Sequence, residues 1–263
     1  TGNYNDSTAK LYTDIGMFTC REELSGDATT LFNMLTGYVG APKYRHFVVA
    51  PEHMRDFFED RINQEISNAQ SGKPCGIVAK INSLVDTGII SLLYKASQEG
   101  VPIYLMVRGI CCLIPGQPGL SENIHVHSIV GQLLEHSRIF RFENGGNPKI
   151  WLGSADWMQR NLNRRVELVF PVLDRRIQKR LDSILDAMFR GNVNTRLMQS
   201  DGIYMTIMPK EEEKVRNSQR DFSDMAIVAQ KRAQRAEANR RRRREREKED
   251  AMKAPSAKNK SKS

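Results

Sequence analysis

The sequence predicts an α/β fold, a mostly parallel sheet sandwiched between helices and followed by a charged C-terminal extension. Three observations carry this expectation. Between His46 and Phe189, short apolar runs alternate with stretches whose apolar residues recur at helical spacing. Val101 to Val107 is nearly all apolar, as a strand buried on both faces should be. From about Lys210 apolar content falls, and Arg240 to Arg244 are five consecutive arginines.

The elements follow in chain order. Leu11 to Phe18 has strand character, Gly26 to Tyr38 carries Leu31, Phe32 and Leu35 at helical spacing, and Gly37 to Pro42 reads as a linker. His46 to Ala50 is a short strand. Met54, Phe57, Phe58, Ile62, Ile66 and Ala69 then mark a helix that Gly72 to Pro74 stops. Gly76 to Ile81 is a strand, and Asp86 caps a helix holding Ile89, Ile90, Leu93 and Ala96 that ends at Gly100. After the strand Val101 to Val107 comes a Pro/Gly loop, Gly109 to Asn123, and a helix is expected near Ser128 to Leu134. Ile139 to Phe142, Ile150 to Gly153 and Val166 to Val172 read as strands around the turn Glu143 to Pro148. An amphipathic helix, Asp174 to Phe189, closes the fold, and the remainder is expected to be partly helical and then disordered.

Charge and cysteines narrow the function classes. The net charge is +9, but Glu211 to Ser263 holds 17 basic and 10 acidic residues and so carries most of it. The body is nearly neutral, which excludes a polybasic nucleic-acid binder there and leaves the tail as the candidate polyanion contact. Cys20, Cys75, Cys111 and Cys112 show no paired framework, and adjacent Cys111 and Cys112 would form only a strained ring, so reduced thiols are expected. Apolar runs such as Ile103 to Val107 fall far short of the roughly 20 residues of a membrane span. The chain opens at Thr1 with turn-forming, polar residues, so a processed or truncated chain is expected.

Ligands of open α/β sheets collect beyond the carboxyl ends of strands, which places Asn82, Arg108 and Ser154 in one neighbourhood. His136 and Arg138 are two apart and share a face of an extended backbone. Gly153 and Ser154 let the backbone approach an anion and offer it a hydroxyl and N–H groups. Together these make a plausible phosphate site. Thr1-Gly2-Asn3-Tyr4-Asn5 repeats the texture of Gly153 to Trp157, as if two related half-sites faced each other. Trp151 and Trp157 flank the Gly-Ser pair as packing. His125 and His127 are two apart, but no third ligand stands at metal-binding spacing, so they read as a solvent-facing strand pair.

The strings "TGNYNDSTAKLYTDIG", "AKINSLVD", "LMVRGICCLIPGQPGLSENIHVHSIVGQLLEHSRIFRFENGG" and "LGSADWMQRNLNRRVE" resemble the C-terminal domains of the polyphosphate kinase family, the long-chain polyphosphate-forming type. The likeness runs from Thr1 to about Tyr204. It implies phospholipase D-like domains: the end of a first at 1–43, a complete second at 44–208, and a charged helical to disordered tail at 209–263. It also implies reversible transfer of the terminal phosphate of ATP to polyphosphate through a phosphohistidine lying upstream of Thr1. Mg²⁺ is expected with its ligands also upstream, so the chain alone should not turn over. ATP or ADP and polyphosphate are the implied partners of a cytoplasmic homo-oligomer.

By the same resemblance Tyr12, Arg108 and His136 bind nucleotide, and His136 is catalytic. Physically, Arg108 can make bidentate bonds to phosphate, and His136 can titrate near neutrality to protonate the leaving oxygen of ADP or the histidine nitrogen in the second step. Asn3, Arg138, Ser154 and Asn161 follow as candidate phosphate contacts, since phosphoryl transfer depends on positioning and charge neutralisation. A phospholipase D-type phosphodiesterase or transferase remains a rival, with Arg138 at its usual lysine position and Asp156 where Asn is usual. A non-catalytic polyanion-binding remnant is the other. The tail departs from the family pattern and reads as a solvated helix or as an electrostatic tether for polyanions.

Overall fold

The computed structural model describes residues 5–37 and 42–253. The chain divides into two compact units, Thr1–Asn217 and Ser218–Ser263.

In the first unit, β1 (Tyr12–Thr13) and α1 (Glu22–Leu35) precede β2 (Val48–Ala50), α2 (Met54–Gln70), β3 (Ile77–Ile81), α3 (Thr87–Gln98) and β4 (Ile103–Val107). Then come β5 (Ile124–Ile129), β6 (Leu134–Glu135), β7 (Arg138–Phe142), β8 (Lys149–Gly153), α4 (Gln159–Asn163), β9 (Glu167–Pro171), α5 (Arg175–Phe189), β10 (Thr195–Met198) and β11 (Tyr204–Thr206). Asp86 caps α3 as expected, accepting from the Ile89 amide at 3.0 Å, and Arg55 holds the same carboxylate at 2.5 Å.

The α/β class holds, but the sheet is not mostly parallel. Its nine strands run in the order β11-β10-β5-β4-β3-β7-β8-β9-β2, and only the pairs β3·β4 and β4·β5 are parallel. The connections explain this. A helix crosses over between β3 and β4, whereas β7 and β8 are joined by a tight turn with Asn144 and Gly145 at positive φ, which forces an antiparallel pair. Alternate residues of each strand feed two cores. Ile77, Ala79, Phe140 and Trp151 pack with Phe58, Ile62 and Leu93, while Ile139, Ile150 and Leu152 pack with Leu181 and Leu185 of α5.

Three further expectations change. The helix placed near Ser128 is absent; Ile124, Val126 and Ser128 are buried at a period of two, and β5 occupies Ile124–Ile129. The strand expected over Leu11 to Phe18 shrinks to the two residues of β1. The helix expected from Gly26 begins earlier, at Glu22, and the linker around Gly40 lies outside the described residues. Buried Asp27 of α1 accepts from the amides of Arg45, His46 and Phe47 at 2.9, 2.6 and 2.8 Å and so ties α1 to the entry of β2.

The second unit contains α6, Ser218–Lys253, with Arg240 to Arg243 exposed and an Arg241–Glu245 pair at 3.0 Å. Among the described residues no helix is long and apolar enough to cross a membrane.

Candidate functional site

Although β8 does not neighbour a parallel strand, it runs in the same direction as β3, because β7 between them is antiparallel to both. The ends of β3, β4 and β8 therefore meet at one sheet edge, together with the start of β7. Arg108 leaves β4 and its Nε donates to Asn82 Oδ1 at 2.5 Å, just past the end of β3. The Asn82 amide in turn donates to Asp156 Oδ1 at 2.6 Å, beyond β8. Gly109 passes so close that a Cβ there would sit 2.9 Å from the Asn82 carbonyl oxygen.

A separate two-stranded ribbon lies beside this edge. β1 pairs in parallel with β6, Tyr12 opposite Leu134 and Thr13 opposite Glu135, and the His136 amide donates to the Thr13 carbonyl at 3.1 Å. The Tyr12 and His136 rings meet edge-on with centroids 4.9 Å apart, and the Arg108 guanidinium lies 5.9 Å from the Tyr12 ring centre. Tyr12, Arg108 and His136, distant in sequence, thus form one cluster.

His136 carries the electrostatics of the site. Arg138 Nη1 lies 3.1 and 3.2 Å from its two ring nitrogens, so the guanidinium sits across the ring rather than at one nitrogen. Burial, then the charges of Arg138, Arg108 and Lys80, push the imidazole down to about 4, with Asp156 partly offsetting them. The ring is therefore neutral at pH 7 here, not poised near neutrality. A bound phosphate would act in the opposite direction and draw a proton onto it.

The remaining predicted donors are placed less openly. Arg138 is buried and forms a two-pronged pair with Asp156, Nε to Oδ1 at 3.1 Å and Nη2 to Oδ2 at 3.0 Å. Asp156 is thus a partner for Arg138, not simply a departure from an asparagine. The Ser154 hydroxyl donates to Glu167 at 2.5 Å and accepts from the Leu168 amide at 3.1 Å, while its own amide donates to the Leu168 carbonyl. Asn161 donates to the other oxygen of the same Glu167 carboxylate. Gly153 answers to packing: a Cβ there would meet Val169 Cγ2 at 2.6 Å. Asn3 lies outside the described residues.

Sequence reasoning missed Glu167, where Ser154 and Asn161 converge, and buried Lys80. A lysine inside the apolar strand IVAKI was the available signal for the second. Trp157 is fully buried, as the packing reading expects, and His125 stacks on Tyr104 at 5.0 Å. All four cysteines are free.

Comparison with known proteins shows where this arrangement belongs. A sequence profile described as polyphosphate kinase C-terminal domain 2 matches residues 47–219, and one described as polyphosphate kinase C-terminal domain 1 matches residues 1–41. The chain belongs to the polyphosphate kinase family. Polyphosphate kinase of Synechocystis is 52% identical over 87% of the chain, and that of Lactiplantibacillus plantarum is 49% identical over 84%. The crystal structure of polyphosphate kinase from Porphyromonas gingivalis superposes with a TM-score of 0.83 at 35% identity, covering 88% of this chain and 35% of that one. The chain spans about a third of the length of these relatives, 31% in the first two.

Membership in the polyphosphate kinase family raises the question of a metal. Among the described residues no three His, Cys, Asp or Glu side chains are grouped to hold one. The side chains around His136 are mostly cationic, and they suit an anion better than Mg²⁺.

Proposed function

We propose that this chain supplies the nucleotide-binding half of an ATP–polyphosphate phosphotransferase, with Tyr12, Arg108 and His136 as its contacts to ATP or ADP. The observation that carries the reading is the convergence of those three side chains on one sheet edge. Arg108 neutralises charge on the transferring phosphate, and the Tyr12 ring flanks it. The bond between the γ-phosphorus and the ADP oxygen breaks as a P–N bond forms to a histidine contributed from outside this chain. A terminal polyphosphate oxygen then attacks that phosphorus and releases the histidine. His136, neutral beforehand, takes up a proton when phosphate arrives and delivers it to the leaving oxygen of ADP. Mg²⁺ would be held by ligands outside this chain, in a cytoplasmic homo-oligomer. On this reading the chain by itself binds nucleotide and transfers nothing.

Two measurements test it. Incubating the intact protein that carries this chain with γ-labelled ATP is expected to place label on a histidine and then in polyphosphate. Hydrolysis of a phosphodiester without ATP, and no label transfer, would point to the phospholipase D-type rival instead. By calorimetry, the chain alone is expected to bind ADP without releasing phosphate from ATP.

The basic stretch of α6 is assigned to polyphosphate as a tether. Each phosphate neutralised on a single-stranded polyanion steepens the fall of log affinity with log salt by about 0.7. Removing residues 230–263 is therefore expected to weaken polyphosphate retention at low salt and to flatten its salt dependence, read by filter binding at two salt concentrations. Unchanged retention at both would show that α6 is only a solvated helix.

A further inference from the structure

Lys80 is an unusual residue for its place. It lies near the end of β3, is 2% exposed, and enters the site described above only through its charge. A buried ammonium is costly to keep unless its bonds are well made. Its side-chain bonds run to the segment that enters β7, the antiparallel neighbour of β3. Nζ reaches out of the sheet to the Ser137 carbonyl at 3.0 Å and to Glu135 Oε2 at 3.3 Å. These are the two residues that flank His136.

The same Glu135 oxygen accepts from the Thr13 hydroxyl at 2.8 Å, so one buried carboxylate joins the core lysine to the β1·β6 ribbon. That ribbon has two residues in each strand, and such a short pair has few main-chain bonds with which to hold its register. A slip of one residue would carry Tyr12 away from His136. Along an extended backbone, residues 135 and 137 lie opposite residue 136. Fixing both flanking residues from below sets the direction in which the His136 ring leaves the chain.

We propose that Lys80, clamped between the Glu135 carboxylate and the Ser137 carbonyl, is the positioning residue that fixes the His136 ring and keeps the Tyr12 strand in register against it. The proposal deepens the reading of His136 as a phosphate-contacting group and rests on it for its functional meaning, while its structural content stands on the clamp alone.

Lys80 also gives the clamp a pH limit. Burial pulls the ammonium down to about 8, against the opposing pull of Glu135 from β6 and with further lowering by Arg138 of β7 and Arg108 beyond β4. His136, which faces the same group, is already neutral in that range. Between about 8 and the ordinary lysine value of 10.5 the unfolded chain binds the extra proton, so this group adds to folding stability as pH rises. Loosening of His136 in that window therefore cannot be attributed to Lys80-driven unfolding.

The test is a long-range ¹H–¹⁵N spectrum of the histidine rings of the full chain without nucleotide, with His136 assigned by its loss in His136→Gln. The wild-type His136 signals are expected to be a single sharp set at pH 7 and to broaden or split as pH passes about 8. Lys80→Met is expected to show the broadened form already at pH 7. Because that change takes the cation from the buried Glu135 carboxylate, the double variant Lys80→Met/Glu135→Met is measured beside it, since replacing both members of a buried pair by apolar residues is often neutral for folding. The double variant is expected to melt close to wild type yet show the broadened His136 signal, with no further change across pH 8. A sharp wild-type-like His136 signal in the folded double variant would overturn the proposal. ADP is then added to wild type. Absence of any His136 shift with ADP would count against the nucleotide reading and leave the nucleotide-free comparison to judge the clamp separately.

Discussion

Asp156→Ala is expected to cost roughly 3–5 kcal/mol of folding stability, the penalty for stranding one member of a buried ion pair. Arg138 makes both prongs of its fork to this carboxylate, at 3.1 and 3.0 Å, and both residues are buried. Asp156 also accepts the Asn82 amide at 2.6 Å, so its loss frees an acceptor-seeking group at the very edge where Arg108 is held. Urea denaturation followed by far-UV circular dichroism measures the effect. Asp156→Asn retains an acceptor for Asn82 and should fall between the two. A loss below about 1 kcal/mol would mean that the pair is solvated in solution and contributes as little as surface pairs do. The same variant bears on Arg138 as a phosphate contact. If Arg138 can turn from Asp156 to an anion, inorganic phosphate should restore stability to Asp156→Ala more than to wild type, following simple linkage between binding and folding.

Why the sequence showed some of this and not the rest follows from the range of the interactions. The apolar spacing of α2, the Asp86 cap of α3 and the run of β4 are local signals, and each falls where the residues place it. β5 is legible only in part: His125 and His127 alternate with Ile124 and Val126 and read as a strand pair, while the stretch from Ser128 onward has enough apolar residues to suggest a turn of helix. Strand direction is not local at all. Nothing in Arg138 to Phe142 says that it runs against β3; the short turn sets its direction only against β8, and the pairing with β3 comes from distant chain segments meeting in the sheet. Asn82 and Arg108 were still placed together because both follow strands that run the same way. Glu167 was invisible for the complementary reason. Its role comes from β9 lying beside β8, which carries its carboxylate to Ser154 and Asn161. The pairing with β9 is also why the Ser154 amide, expected to face an anion, is spent on the Leu168 carbonyl.

His136→Gln is expected to reduce phosphoryl transfer by the intact protein by about 10²–10⁴-fold, the range for losing a positioned acid or base, while changing nucleotide affinity far less. The pH behaviour separates this role from simple hydrogen bonding. The free imidazole is held down to about 4 by burial and by Arg138, Arg108 and Lys80. Its folded value lies below the ordinary 6.5, so between 6.5 and 4 the unfolded chain binds the additional proton and wild type loses stability as pH falls through that interval. His136→Gln should flatten this slope, which thermal melts across the interval would detect. Nucleotide works in the opposite sense. On the proposed reading, phosphates would bring negative charge to a ring surrounded by cations, so the bound ring would titrate higher than the free one and binding would take up a proton at intermediate pH. Affinity for ADP should therefore rise as pH falls toward 5, and calorimetry in buffers of different ionisation enthalpy should register proton uptake that His136→Gln abolishes. Equal proton uptake in wild type and variant would assign the titration to another group and remove His136 as the proton donor to the leaving oxygen. On the proposed reading, the cationic surroundings that keep His136 neutral when alone are also what would let an arriving phosphate bring the proton to it.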